Sequence, residues 1–250
     1  MNNQSDLTGK VALITGASHR IGAEMTRQLH LAGMNIALHY RNSHAKAESL
    51  AAQLNARRAN SVRLIQADLL NTPALANVVN AAAEPWRRLD VLINNASTFY
   101  PTGIGTTTEA EWDDLIGSNL KAPFFLSQAA ASELKKQHGC IINIVDIHSQ
   151  RPMKGYPVYS AAKAGLAMLT MALARELGPA VRVNGVAPGA ILWPEHELDQ
   201  KAKDEILDRT ALKRQGSPAD IARTALFLIR DADYISGQII NVDGGRTLGF

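Results

Sequence analysis

Tyr159 and Lys163 stand four residues apart in Tyr159-Ser160-Ala161-Ala162-Lys163, a spacing that puts both side chains on one face of a helix. A phenol titrates near ~10, and a neighbouring ammonium favours its phenolate, so such a pair can work as a proton donor or acceptor close to neutral pH. The same spacing also arises as an ordinary surface pair, so it carries weight only in company. A second constellation is Thr15-Gly16-Ala17-Ser18-His19-Arg20-Ile21-Gly22, which follows the apolar run Val11 to Thr15. Gly16 suits a tight turn, and Gly22 suits close packing of the next helix. The free N–H groups and positive dipole end of that helix suit a pyrophosphate. A glycine-rich turn alone is a weak signal, but between a strand and a helix it reads as a dinucleotide site, with Gly16, His19, Arg20 and Ile21 as cofactor contacts. Arg20 could face the phosphates or the ligand, or lie on the surface at the helix start.

The second apolar run ends in His39-Tyr40-Arg41-Asn42-Ser43. An NAD site usually keeps an acid about 20 residues beyond the glycine turn, on the ribose 2′-hydroxyl. No acid occurs in this turn before Glu48, whereas Arg41, Asn42 and Ser43 can donate to a 2′-phosphate. NADPH is therefore the expected cofactor, with Tyr40, Arg41, Asn42 and Ser43 around the adenosine ribose. Asp68-Leu69 follows the third apolar run; Asp68 either bonds the adenine amino group or caps the next helix, and both readings stand.

These groups need a scaffold that collects them. Apolar runs at Val11–Thr15, Asn35–Tyr40, Val62–Gln66, Asp90–Asn94, Cys140–Val145, Val181–Val186 and Gly237–Val242 alternate with helical patterns. The helices are expected after Ile21, over His44–Arg58, from Thr72-Pro73, over Glu109–Lys135 with a bend near Pro123, over Tyr159–Leu177, and from Ser217-Pro218 to Arg230. Strands without polar alternation, joined by helices, make a doubly wound, Rossmann-type α/β domain with a parallel seven-stranded sheet. Its ligands sit at the carboxyl ends of the strands. The whole chain, 1–250, is expected to be this one domain.

Composition narrows the class further. With 250 residues, 46% of them hydrophobic and 20% charged, the chain can bury a full core. The absence of an apolar run of ~18 residues excludes a membrane-spanning helix. The polar first ten residues show no secretory signal. A single cysteine, Cys140, excludes an intrachain disulfide and fits a reducing cytoplasm. The net charge of +3 is small and scattered, which argues against nucleic acid.

Further matches accompany the Tyr–Lys pair: Asn94-Asn95-Ala96 after the fourth strand, Gly117-Ser118-Asn119 in the long helix, and Asn184-Gly185-Val186-Ala187-Pro188-Gly189 at the sixth strand. With these motifs the chain resembles the short-chain dehydrogenase/reductase family from about Gly9 to Gly245. The resemblance implies proton transfer by Tyr159. It gives Lys163 the nicotinamide ribose and an electrostatic role, and Asn119 a water-mediated relay. Asn95, Ala96, Ser97, Pro188 and Gly189 become further cofactor contacts.

One departure is informative. The family usually has Ser thirteen residues before the Tyr; here that position is Asp146, in Val145-Asp146-Ile147-His148. An ionised carboxylate only accepts hydrogen bonds and repels a carbonyl oxygen. It also opposes phenolate formation, which makes Tyr159 a better acid than base. Ser149 is a weaker candidate to replace the missing hydroxyl. Together with His19-Arg20-Ile21-Gly22, the Arg41 turn and Ser97-Thr98-Phe99-Tyr100-Pro101, Asp146 resembles the pteridine reductase branch. That branch implies a pterin between Phe99 and the nicotinamide, contacted by Arg20, Ser97, Asp146 and Tyr159, with hydride delivered to a C=N carbon. The other readings are an NADPH-dependent reductase of a sugar, steroid or acyl thioester carbonyl, and a non-catalytic NADPH sensor. Residues 190–214 are the expected substrate lid, and no metal is expected; Glu195, His196 and Glu197 are too close together to fit one ion. By family resemblance the protein is a homotetramer joined around Trp112 and Tyr159, and the chain end, Arg246 to Phe250, reaches a neighbouring subunit.

Overall fold

The computed structural model describes residues 6–193 and 199–249. Seven strands, β1 (Val11–Ile14), β2 (Asn35–Tyr40), β3 (Val62–Gln66), β4 (Val91–Asn94), β5 (Cys140–Ile144), β6 (Arg182–Pro188) and β7 (Ile239–Val242), form one sheet in the order β3-β2-β1-β4-β5-β6-β7. Every pairing is parallel. Eight helices are described: α1 (Arg20–Leu31), α2 (His44–Arg57), α3 (Leu75–Ala83), α4 (Glu109–Ile116), α5 (Ala122–Lys136), α6 (Pro157–Leu177), α7 (Gln200–Asp208) and α8 (Pro218–Arg230).

The sheet is buried on both faces because its strands carry apolar residues at both parities. Ala12 and Ile14 of β1 join Met25, Leu29, Leu50, Ile221 and Leu228 on the face covered by α1, α2 and α8. Val11 and Leu13 of the same strand join Val78, Leu126 and Leu173 on the face covered by α3, α5 and α6. With all strands parallel, their carboxyl ends share one edge, and the loops that carry the polar motifs all leave from it.

The chain departs from the pattern expectation in two places. Glu109–Lys135 is not one helix bent at Pro123: a π-helical turn over Gly117–Lys121 separates α4 from α5, and Pro123 sits in the first turn of α5, where its missing N–H costs little. The Asn119 side chain donates to the Leu115 carbonyl four residues back at 3.0 Å, which supplies a partner inside that irregular turn. In the expected lid, α7 buries none of its residues fully; its half-buried side chains, Ala202, Lys203, Ile206 and Leu207, fall on one face at helical spacing, a short stripe from which the sequence expectation drew no helix. Asp199 caps it, accepting from Ala202 N at 2.7 Å. Glu195, His196 and Glu197 lie outside the described residues. On α6, Leu173 is core, whereas Met168 and Met171 are exposed, as are Trp112 and Phe124. Among the described residues no helix is long and apolar enough to cross a membrane.

Gly22 is where the first helix closes on the sheet. A Cβ there would lie 2.2 Å from the Gly16 carbonyl oxygen and 2.7 Å from Asn95 Nδ2. The nearer atom is backbone and cannot swing away. Gly22→Ala is therefore expected to lower the thermal midpoint by roughly 5 °C, an overpacking cost of about 1–3 kcal/mol. An unchanged melting curve would contradict this contact.

Candidate active site

A cleft of about 350 Å³ runs along the carboxyl ends of β1 to β4. Gly16, His19, Arg20, Ile21, Tyr40, Arg41, Asn42, Ser43, Asp68, Leu69, Asn95, Ala96 and Ser97, the expected cofactor contacts, all line it. Ser18, Thr98 and Ser118 also line it and were not singled out from the sequence. Lys163, Pro188 and Gly189 lie outside that lining: Lys163 is buried, Pro188 ends β6, and Gly189 packs so closely on Asp243 that a Cβ would meet its Cα at 2.6 Å.

The glycine turn is braced from three sides. Gly16 has φ +60°, which favours glycine. The Thr15 hydroxyl accepts from Asn95 N at 2.9 Å and Ala96 N at 3.0 Å. The Asn95 amide donates to the carbonyls of Thr15 at 2.8 Å and Gly16 at 3.0 Å. The third brace is His39, for which the sequence offered no role. Its Nδ1 accepts from Gly16 N at 3.2 Å, so Nε2 bears the proton and donates to the Ala67 carbonyl at 3.1 Å. Burial pushes the His39 pKa down to about 4, against the Ala67 bond and the Asp68 charge.

Around the opening, α1 carries no acid in its first turn. Arg20 takes the left-handed backbone conformation, φ 52°, and its Nη2 donates to the Trp193 carbonyl at 3.3 Å. Arg20 thus bridges the cleft to the segment that follows β6. Arg41 lies 4.0 Å from Asp68, both of them exposed. Asp68 Oδ1 accepts from Leu70 N at 3.0 Å, a local turn bond that leaves the carboxylate at the cleft wall.

Beyond the cleft, Asp146, Tyr159 and Lys163 come together. Asp146 follows β5 in extended conformation; its Oδ1 accepts from His148 N at 2.8 Å and its Oδ2 from the Tyr159 hydroxyl at 2.8 Å. Tyr159 is 5% exposed, in the first turn of α6, and Lys163 is one turn on. Burial first, then the charge and hydrogen bond of Asp146, hold the Tyr159 pKa well above that of a free phenol. Tyr159 is therefore a neutral donor. The Lys163 ammonium donates to the Ile144 carbonyl at 2.9 Å and lies 5.7 Å from the Tyr159 ring centroid. Burial lowers its pKa to about 8, with Asp146 opposing. Neither residue is a solvated surface pair.

Asn119, in the π-helical turn, donates to the Thr98 carbonyl at 2.9 Å, and its buried Oδ1 has no partner among the described residues. Thr98 precedes Phe99, whose ring stacks on Tyr156 at 4.7 Å and meets Tyr159 edge-on at 4.8 Å. Tyr156 was missed from the sequence, although it stands one helical turn before Tyr159. Phe99 is 41% exposed, so it still offers surface to a flat ligand. The Ser149 hydroxyl is buried without a partner among the described residues and makes no bond to Tyr159.

Comparison with known proteins bears on this arrangement. A family model described as enoyl-(acyl carrier protein) reductase matches residues 16–247. Pteridine reductase 1 of Leishmania tarentolae is 36% identical over 282 residues, covering 96% of this chain and 97% of that protein. A 3-oxoacyl-(acyl-carrier-protein) reductase of Staphylococcus epidermidis is 38% identical over 243 residues, covering 96% and 99%. Another from Synechocystis is 35% identical over 246 residues, covering 97% and 98%.

The His39 brace has a pH signature. Its folded pKa, about 4, lies below the ordinary 6.5, so its stabilising contribution is complete above pH 6.5 and is lost as pH falls towards 4. The loss should total about 3 kcal/mol. Denaturant unfolding from pH 7 to 4 should therefore show a shallower decline for His39→Gln than for the wild type, and parallel declines would contradict the brace.

Proposed function

Because the chain belongs to the short-chain dehydrogenase/reductase family, whose members are NAD(P)H-dependent oxidoreductases, we propose that it is an NADPH-dependent reductase of pteridines. The observation that carries this reading is the 2.8 Å bond from the Tyr159 hydroxyl to Asp146. A carboxylate in that position suits a substrate with ring nitrogens and N–H groups, and it repels a bare carbonyl oxygen. The relationship to a pteridine reductase supports it further.

The cleft fits the cofactor. It meets the N-terminal end of α1, has no acid in that helix's first turn, and is lined by Arg41, Asn42 and Ser43, which can donate to a 2′-phosphate. Asp68 stands near Arg41 and would favour an ordinary ribose; the three donors outweigh one exposed carboxylate 4.0 Å from its own counter-charge. NADPH, when bound, supplies the hydride. Phe99, Ser97 and Arg20 hold the flat substrate at the cleft mouth. Tyr159 gives its proton to the substrate nitrogen beside the reduced carbon, and Asp146 keeps the hydroxyl aimed and protonated until then. Lys163, with a pKa of about 8, is poised to return a proton to Tyr159. The open acceptor on Asn119 could take a hydrogen bond from a water that would continue the relay. A homotetramer would cover the apolar surface of Trp112, Phe124, Met168 and Met171.

The two acyl thioester reductases are as similar to this chain as the pteridine reductase, so a carbonyl substrate is the second reading. Steady-state NADPH oxidation with dihydrobiopterin, dihydrofolate and a panel of ketones and acyl thioesters separates the two. The account expects pteridine turnover only, lowered about 100-fold or more in Asp146→Ser. Turnover of ketones or thioesters with pteridines inert would overturn it.

A further inference from the structure

We propose that Arg246 makes a cationic corner beside Asp146 that selects substrates bearing an anionic substituent, a carboxylate or a phosphate. The inference rests on the reading that substrate sits against Asp146 and Tyr159. Strand register sets the geometry. Ile144 of β5 pairs with Val186 of β6, and Pro188 of β6 pairs with Val242 of β7, so Asp146 and the Asp243–Arg246 turn leave the same edge. The turn after Asp146 is tied to the chain end by Arg151, whose guanidinium donates to the Gly249 carbonyl at 3.4 Å. Arg246 itself opens a short helical turn over Arg246–Leu248.

Arg246 is half-buried there, and among the described residues no acceptor bonds its guanidinium. The acids around it are already engaged. Asp243 accepts from Gly245 N at 3.0 Å and from Thr247 N and Oγ1 at 2.8 Å each. Asp146 is held by Tyr159 and His148 N. The charges acting on Arg246 are Asp146, Asp243 and, of like sign, Arg209 on the segment after α7. A half-desolvated guanidinium with a second cation nearby and no free carboxylate is short of an acceptor, which an anionic substrate group would supply.

The test pairs substrates that differ in that group. Dihydrofolate carries a dicarboxylate tail and dihydrobiopterin has no anion. For Arg246→Ala, KM for dihydrofolate should rise about tenfold or more with kcat little changed, while KM for dihydrobiopterin stays within about twofold. Arg246→Lys should recover part of the loss. Equal changes for both substrates, or none, would overturn the corner. If the wild type reduces carbonyls in place of pteridines, the function proposed above fails and the corner is judged on a second pair. Acetoacetyl-coenzyme A carries phosphates and ethyl acetoacetate does not, and only the former should lose affinity in Arg246→Ala.

Discussion

A phenol that donates to a carboxylate away from water keeps its proton tightly, because releasing it would leave two anions side by side in a poorly solvated site. Tyr159 and Asp146 are in that situation, and much of the surrounding structure serves to keep them there. Asp146 leaves β5 in extended conformation, and His148 N takes one of its oxygens, so the other has only one direction to face. Pro157 starts α6 just early enough to put Tyr159 in the first turn and Lys163 one turn behind it. Burial raises the tyrosine and lowers the lysine, so the two groups titrate further apart than free side chains would order them, with the phenol still protonated where the ammonium begins to titrate. Such a pair is arranged to deliver a proton, which is what the proposed reduction requires.

The cleft and the proton site are mechanically one unit. Asn95 holds the carbonyls of the glycine turn, and two residues on begins the loop that leads to Phe99. Asn119 grips that loop at Thr98 from the π-helical turn, and Phe99 reaches Tyr156 and Tyr159. The glycine turn and the tyrosine are thus joined by contiguous contacts through Asn95, Asn119 and Phe99. Arg20 links the same turn to Trp193, where the chain enters the segment after β6.

Much of this was legible in the sequence because it depends on local pattern. Strands buried on both faces write themselves as apolar runs, and β2 and β3 begin and end where those runs do. The glycine turn and the Tyr–Lys spacing are likewise short-range, and Asp146 was identified by its distance from Tyr159. What stayed hidden depends on tertiary placement. His39 looks like any strand residue until Gly16, just past β1, and Ala67, just past β3, are seen to engage its two nitrogens. The π-helical turn at Gly117–Lys121 has no compositional mark, and the visible Pro123 drew attention to the wrong residue. Helix α7 has only Ala202, Ile206 and Leu207 as apolar residues among its charges, a stripe too short to stand out from the surrounding polar run. Arg246 acquires meaning only when the ends of β5 and β7 are placed on one edge.

The central claim, that Asp146 and burial keep Tyr159 a proton donor, can be measured without a substrate. With tyrosine ring carbons labelled by carbon-13, the ζ-carbon shift of Tyr159 reports phenolate formation directly, and Tyr159→Phe assigns the signal. In the cofactor-free protein the account predicts no titration of Tyr159 up to pH ~10, the ordinary phenol value, and a clear downward shift of its titration in Asp146→Asn. A Tyr159 that ionises at or below the ordinary value, or one whose titration ignores the loss of the Asp146 charge, would contradict it.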